Sequence, residues 1–211
     1  MFITLEGIEG AGKTTQLQNI VAYLEGSGYE CVTTREPGGT AIGSRIRAIL
    51  LDPENRGLDP VAELLLYVAD RVQHIRTVIQ PHLAAGRVVL CDRFFDATLV
   101  YQGYARGVDR RTIRELHRLT CDDLRPDATL LFDLDPAVGL ARAWAQVHNG
   151  GRTDAETRFE QEKAAFHQRV RAGYLELAAR EPQRYRVIDA GRDVAAVTRE
   201  VEALLASLLA A

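Results

Sequence analysis

Residues 7–14 read Gly7-Ile8-Glu9-Gly10-Ala11-Gly12-Lys13-Thr14, the pattern G-x-x-x-x-G-K-[ST], and this run leaves the chain few folds to choose from. The apolar stretch Met1-Phe2-Ile3-Thr4-Leu5 stands before it and a segment of helical period follows, so the loop falls between a strand and a helix, as its mechanism requires. Glycines let the backbone wrap the β- and γ-phosphates of a nucleoside triphosphate, and the helix N-terminus adds partial positive charge. Lys13 neutralises phosphoryl oxygens, and the Thr14 hydroxyl can ligate Mg2+. A plain glycine turn would explain neither the lysine nor the threonine. ATP or GTP binding follows, but not its use, because switch proteins, motors and small-molecule kinases share the loop.

The rest of the chain alternates short β-branched apolar runs with longer segments of helical period, which argues for βαβ units on a parallel sheet. Strands are expected at 2–6, 30–34, 87–92, 128–133 and 186–189, with amphipathic helices at 61–84, 158–179 and 194–209 covering both faces. Glu25-Gly26-Ser27-Gly28 and the stretch from Asp52 to Gly57 supply the turns. Residues 148–158, polar and glycine-bearing between two helices, are the expected lid. At 211 residues, with 46% hydrophobic and 26% charged, one globular domain over 1–211 suffices. The net charge of −3 argues against nucleic acid as a partner. Three widely spaced cysteines form no metal or redox motif and read as buried thiols. The N-terminal stretch lacks the basic start and cleavage site of a signal peptide, and no apolar run approaches the ~20 residues that cross a bilayer, so a cytoplasmic address without membrane contact is expected.

The acceptor of a phosphoryl group must be read elsewhere. Val88-Val89-Leu90 looks like a fully buried strand, and the polar pair Asp92-Arg93 at its end emerges beside the phosphate loop. There Asp92 could hold Mg2+ directly or through water and Arg93 could clamp a second phosphate, where a surface ion pair is the bland alternative. Arg35-Glu36-Pro37-Gly38-Gly39-Thr40 follows the second strand, with Arg47 on the helix behind it; such a loop either reaches a substrate or merely turns the chain.

Taken in order, Gly7 to Thr15, Arg35-Glu36-Pro37-Gly38-Gly39-Thr40, Ala69-Asp70-Arg71, Asp92-Arg93-Phe94, Tyr101-Gln102-Gly103 and Arg158-Phe159-Glu160-Gln161-Glu162 resemble the bacterial thymidylate kinases over practically the whole chain. The resemblance implies a P-loop kinase fold, α/β, with a doubly wound five-stranded parallel sheet, helices on both faces and a lid. It implies transfer of the γ-phosphate of ATP to dTMP, giving dTDP and ADP on the way to dTTP, with Mg2+, in a homodimer. Gly7, Gly10, Ala11, Gly12, Lys13, Thr14 and Thr15 would hold ATP, and main chain at Ala190 would close the adenine pocket. Thr14 and Asp92 would serve Mg2+. On the dTMP side, Tyr67 would stack on thymine and Arg71, one helical turn on, would bond its carbonyl oxygen. Thr98 and Gln102 would contact the base, and Tyr101 would lie beneath the deoxyribose, where a 2′-hydroxyl would collide. Glu9 would sit near the 3′-hydroxyl, Glu36 and Pro37 would line the acceptor loop, and Arg47 and Arg93 would approach the acceptor phosphate. Relatives of the eukaryotic type carry an arginine within the loop where this chain has Gly10. Lid arginines are therefore expected to complete the catalytic set, with Arg152 and Arg158 as candidates, although the lid here departs from the usual Gly-Glu-Leu-Asp-Arg pattern.

Two rivals stay open at this point. A different monophosphate or a deoxynucleoside would need only a few changed pocket residues. A nucleotide-driven switch would share the loop but gain nothing from a second phosphate clamp.

Overall fold

The computed structural model of the protein describes residues 1–149 and 154–210. Strand β1 (Phe2–Glu6), β3 (Val88–Asp92) and β4 (Ala128–Asp133) are almost wholly buried, as β-branched and apolar runs must be when both faces of a sheet are covered. With β2 (Cys31–Arg35) and β5 (Tyr185–Asp189) they form a five-stranded parallel sheet in the order β2-β3-β1-β4-β5. Inside the sheet, the hydroxyls of Thr4 and Thr129 satisfy each other at 2.9 Å.

This order makes β1 the place where the chain changes direction across the sheet, and ligands in such folds bind beyond the carboxyl ends of the strands at that point. Register brings the relevant ends level: Leu5 pairs with Asp92, and Asp92 with Arg35. The phosphate loop leaves β1 there and enters α1 (Lys13–Gly26), and α2 (Ala41–Leu51) follows the loop after β2, capped by the Thr40 hydroxyl on the Gly43 amide at 2.8 Å. Helix α3 (Pro60–His74) packs against α2. A π turn (Ile75–Ile79) then leads into α4 (Gln80–Ala84). A second π segment, Leu99–Ala105, continues α5 (Phe95–Thr98) and packs on α8 (Ala164–Arg180). Helices α6 (Arg110–Cys121), α7 (Pro136–His148) and α9 (Val194–Leu209) complete the layers around the sheet. No helix among the described residues is long and apolar enough to cross a membrane.

Strand positions agree with the sequence reading to within a residue. The helix expected over 61–84 widens into its π turn just ahead of Pro81, whose missing N–H and bulky ring disrupt the regular ladder. The helix expected from 158 begins only at Ala164, because the Arg158 amide bonds the Leu51 carbonyl at 3.2 Å and the segment turns inward before the helix starts. Cys91 and Cys121 are buried, but Cys31 opens β2 half-exposed, so the reading of three buried thiols holds for two.

Candidate active site

The phosphate loop sets the first wall of a cleft of about 410 Å³. Gly12 is left-handed (φ 86°) and caps α1, so the amides that follow point into the cleft from the positive end of the helix. Gly10 also sits at positive φ (69°), and a Cβ there would lie 2.1 Å from the Gly139 carbonyl oxygen. That contact leaves no space for a side chain at this point of the loop. The Lys13 ammonium donates to the carbonyls of Gly7 (3.1 Å) and Ile8 (2.9 Å). Burial and the nearby Arg93 charge push its pKa down to about 8 against the pull of Asp92, Glu9 and Glu6. Ala11, Thr14 and Thr15 share this wall.

Asp92, Arg93 and the helical turn behind them make the floor. Arg93 adopts φ 68°, a conformation uncommon for a residue with a side chain and a recurrent mark of functional sites. Its guanidinium donates to Glu9 Oε1 (3.0 Å) and to the Tyr174 hydroxyl (3.2 Å), and lies 5.0 Å from the centre of the Tyr101 ring. The Tyr101 hydroxyl donates to the same Glu9 oxygen at 2.6 Å. Burial pushes the Glu9 pKa up, but Arg93, His167, Tyr101 and Lys13 together hold it well below the usual carboxylate range. Beneath, buried Glu6 accepts from the Phe94 amide (2.8 Å) and the Tyr174 hydroxyl (2.7 Å), the first of which pins the backbone just after Arg93. Burial and the Asp96 charge raise the Glu6 pKa to about 8.

The far wall carries Glu36, Pro37, Arg47, Tyr67 and Arg71. Arg71 is 2% exposed; it donates through Nε to Glu36 (2.8 Å) and through Nη2 to Thr98 (2.7 Å) and the Phe94 carbonyl (3.3 Å). Gln102 also lines the cleft, and its amide nitrogen donates to buried Glu63 at 2.7 Å. That bond leaves the amide oxygen of Gln102, an acceptor, as the end without a partner among the described residues. Arg47 forms a two-pronged pair with Glu156 (3.0 and 2.8 Å) and donates to the Pro37 carbonyl at 3.1 Å.

Three expected residues are not on the walls. Gly7 contributes its carbonyl to Lys13 from behind the loop. The Ala190 amide donates to Asp133 (2.9 Å) and its carbonyl accepts from Arg142 (3.2 Å), so only a second carbonyl lone pair remains there for a base. Arg158, expected in the lid, is 4% exposed and paired with Glu63, with a further bond to the Leu50 carbonyl at 2.7 Å. The Arg158 amide is held by the Leu51 carbonyl, and the 158–163 turn directs its side chain inward against α3. Arg152, the other lid candidate, lies outside the described residues, as does part of the expected lid.

Sequence reading passed over Glu6, Glu63, His74, His167 and Tyr174, all buried beside the site. His167 Nδ1 stands 3.5 Å from Glu9. Asp92 keeps one buried carboxylate oxygen without a hydrogen-bond partner, on the same cleft as Thr14. A lone carboxylate oxygen and a hydroxyl fit Mg2+, which retains waters and phosphate oxygens as most of its ligands. No group of three or more His, Cys, Asp or Glu among the described residues could form a protein-built metal cage.

The family model described as thymidylate kinase matches residues 5–201. A thymidylate kinase of Desulfosudis oleivorans is 56% identical, covering 94% of this chain and 97% of the relative. One from Geobacter sulfurreducens is 52% identical, covering 97% and 95%. The crystal structure of thymidylate kinase from Ehrlichia chaffeensis superposes with a TM-score of 0.76 at 36% identity, covering 97% of each chain. With the phosphate loop, the Asp92-Arg93 floor and the Tyr67-Arg71 wall joined in one cleft, this near-complete match shows that the chain belongs to the thymidylate kinase family.

Proposed function

We propose that the chain transfers the γ-phosphoryl group of ATP to dTMP, giving ADP and dTDP, with the roles divided between the two walls of the cleft. The observation that carries this reading is the facing of Lys13 and the loop amides by Arg71, Tyr67 and Arg93 across one cavity of about 410 Å³. Phosphoryl transfer asks a protein mainly for alignment and for positive charge over the moving group. The loop and Lys13 hold the donor phosphates. Arg93 and Arg47 offset the repulsion of the acceptor phosphate. Tyr67 stacks on thymine, the free Nη1 of Arg71 donates to a base carbonyl, and the Gln102 oxygen accepts from a base N–H. Glu9, held ionised, accepts from the sugar hydroxyl, and Tyr101 lies below the sugar.

Mg2+, held by Thr14 and Asp92 partly through water, would neutralise phosphate charge as the group moves. Arg152, from the expected lid at 148–158, would add positive charge over ATP, and the chain works as one domain. A cytoplasmic homodimer is the working form. The apolar side chains Ile42, Ile49, Val61 and Leu65, exposed on the packed pair α2 and α3, support the dimer, which sedimentation will test.

A coupled ADP-release assay with dTMP, dUMP, UMP, CMP, AMP and thymidine tests the acceptor. The highest kcat/KM is expected with dTMP. Preference for thymidine, or ATP turnover indifferent to any monophosphate, would defeat the reading.

A further inference from the structure

Glu36 and Arg71 of the acceptor wall are not the end of their network. Glu36 Oε1 meets His74 Nδ1 at 2.9 Å, and His74 Nε2 meets the Thr34 hydroxyl at 2.6 Å. The His74 ring is fully buried, three residues after Arg71 on the same face of α3. We propose that His74 is a positioning residue that holds the Glu36 carboxylate in place and so aims Arg71 at the acceptor base; this rests on the acceptor reading above.

The direction of each bond follows from the chemistry. Burial raises the Glu36 pKa, but Arg71 and His74 bring it below the usual range, so Glu36 is a carboxylate with acceptors only. The proton in the 2.9 Å contact therefore belongs to His74 Nδ1. In the neutral ring Nε2 accepts from Thr34; in the charged ring it donates to the same hydroxyl. Either state keeps the bond to Glu36. With Oε1 held by His74, Oε2 is fixed against Arg71 Nε, and the arginine's Nη1 is the part of the fork that makes no hydrogen bond among the described residues. The guanidinium also lies 5.3 Å and 5.7 Å from the ring centres of Phe94 and Phe95, contacts that permit rotation in the ring planes unless the carboxylate blocks it. The loop itself is clamped to α3 at the same point. The Gly38 amide donates to Asp70 at 3.1 Å, and a Cβ on Gly39 would come within 2.5 Å of His74 Nε2.

Three variants separate positioning from simple packing. In His74→Asn the amide nitrogen takes the place of Nδ1 and keeps the donor to Glu36; in His74→Gln it reaches instead towards Thr34; Thr34→Val removes only the outer contact. Dissociation constants for dTMP and the other monophosphates, KM for ATP and kcat are measured on each, with the melting temperature. His74→Gln is expected to weaken dTMP about tenfold, the size of one charge-assisted hydrogen bond, with KM for ATP unchanged. His74→Asn is expected to stay within about threefold of the parent, and Thr34→Val to lose about two- to threefold. In an Arg71→Met background none of the three should weaken binding further, because the effect runs through that arginine. Equal dTMP affinity in the Asn and Gln variants, or full additivity with Arg71→Met, overturns the proposal. If His74→Gln does not fold, Thr34→Val and its combination with Arg71→Met decide alone. A parent that ignores dTMP but binds another monophosphate sinks the acceptor reading, and the relay is then read on that nucleotide.

Discussion

Replacing Arg158 by alanine discriminates between a lid arginine and a structural anchor. The side chain is 4% exposed and its partner Glu63 is 0% exposed, so truncation leaves a buried carboxylate whose other side-chain partners among the described residues are Gln102 (2.7 Å) and Arg106 (3.4 Å), and frees the Leu50 carbonyl from its 2.7 Å bond. Breaking a buried pair from one side costs about 3–5 kcal/mol. In a chain of this length each kcal/mol moves Tm by roughly 2–4 °C, so a fall on the order of 10 °C is expected. Chemistry in the molecules that remain folded should be nearly untouched, with kcat within about threefold, less than 1 kcal/mol of barrier. Differential scanning fluorimetry and a coupled assay at 25 °C measure the two separately. A double replacement, Arg158→Met with Glu63→Leu, should recover most of the lost Tm, since apolar pairs of similar volume often match a buried ion pair. It should also weaken dTMP, because Glu63 no longer orients Gln102. A hundredfold loss of kcat at unchanged Tm would show that Arg158 acts in the cleft and would refute the reasoning.

The remaining predictions concern protons and backbone. Lys13, with its pKa pushed down to about 8, binds phosphate only when protonated, so KM for ATP should climb as pH rises above 8; a flat profile from pH 8 to 10 would contradict this. Glu6 has its pKa raised from 4.5 to about 8, so its contribution to stability is full below pH 4.5 and is lost as pH rises towards 8. Glu6→Gln cannot ionise and should show a flatter dependence of Tm on pH than the parent between pH 5 and 9, ending above it at pH 9; parallel curves would remove Glu6 from that role. Gly10→Ala should raise KM for ATP at least about tenfold while circular dichroism stays normal, because the loop must shift away from Gly139. An unchanged KM would mean that the loop moves freely at that point.

What the sequence made legible divides along a physical line. Strands buried on both faces announce themselves as apolar runs, and a phosphate loop announces itself because backbone curvature demands glycines at fixed spacing. The 158–163 turn did not, since one long-range bond to Leu51 overrides its helical propensity, and the π segments did not, since their period differs little from that of an α-helix. The missed site residues share a cause. Glu6 meets Tyr174 across 168 positions, Glu63 meets Arg158 across 95, and His74 meets Glu36 across 38, so no local spacing betrays them.

One signal was nevertheless present. Residues 63, 67, 70, 71 and 74 recur at helical spacing and carry Glu, Tyr, Asp, Arg and His, a polar stripe of which the sequence reading used only Tyr67 and Arg71. In the structure Glu63, Asp70, Arg71 and His74 are buried beside Leu64. A polar stripe can be buried only if its members find partners, because an unpaired charge in the interior costs far more than an exposed one. The partners come from separate stretches: Thr34, Glu36 and Gly38 from β2 and the loop after it, Phe94, Thr98, Gln102 and Arg106 from the segment between β3 and α6, and Arg158 from the turn before α8. Those stretches are also the ones that present Pro37, Tyr101, Gln102 and Phe159 to the cleft. The wall that carries Tyr67 and Arg71 is therefore built on buried hydrogen bonds of α3 to the rest of the core, and substitutions that loosen it should lower dTMP affinity and melting temperature together while leaving the phosphate loop's hold on ATP intact.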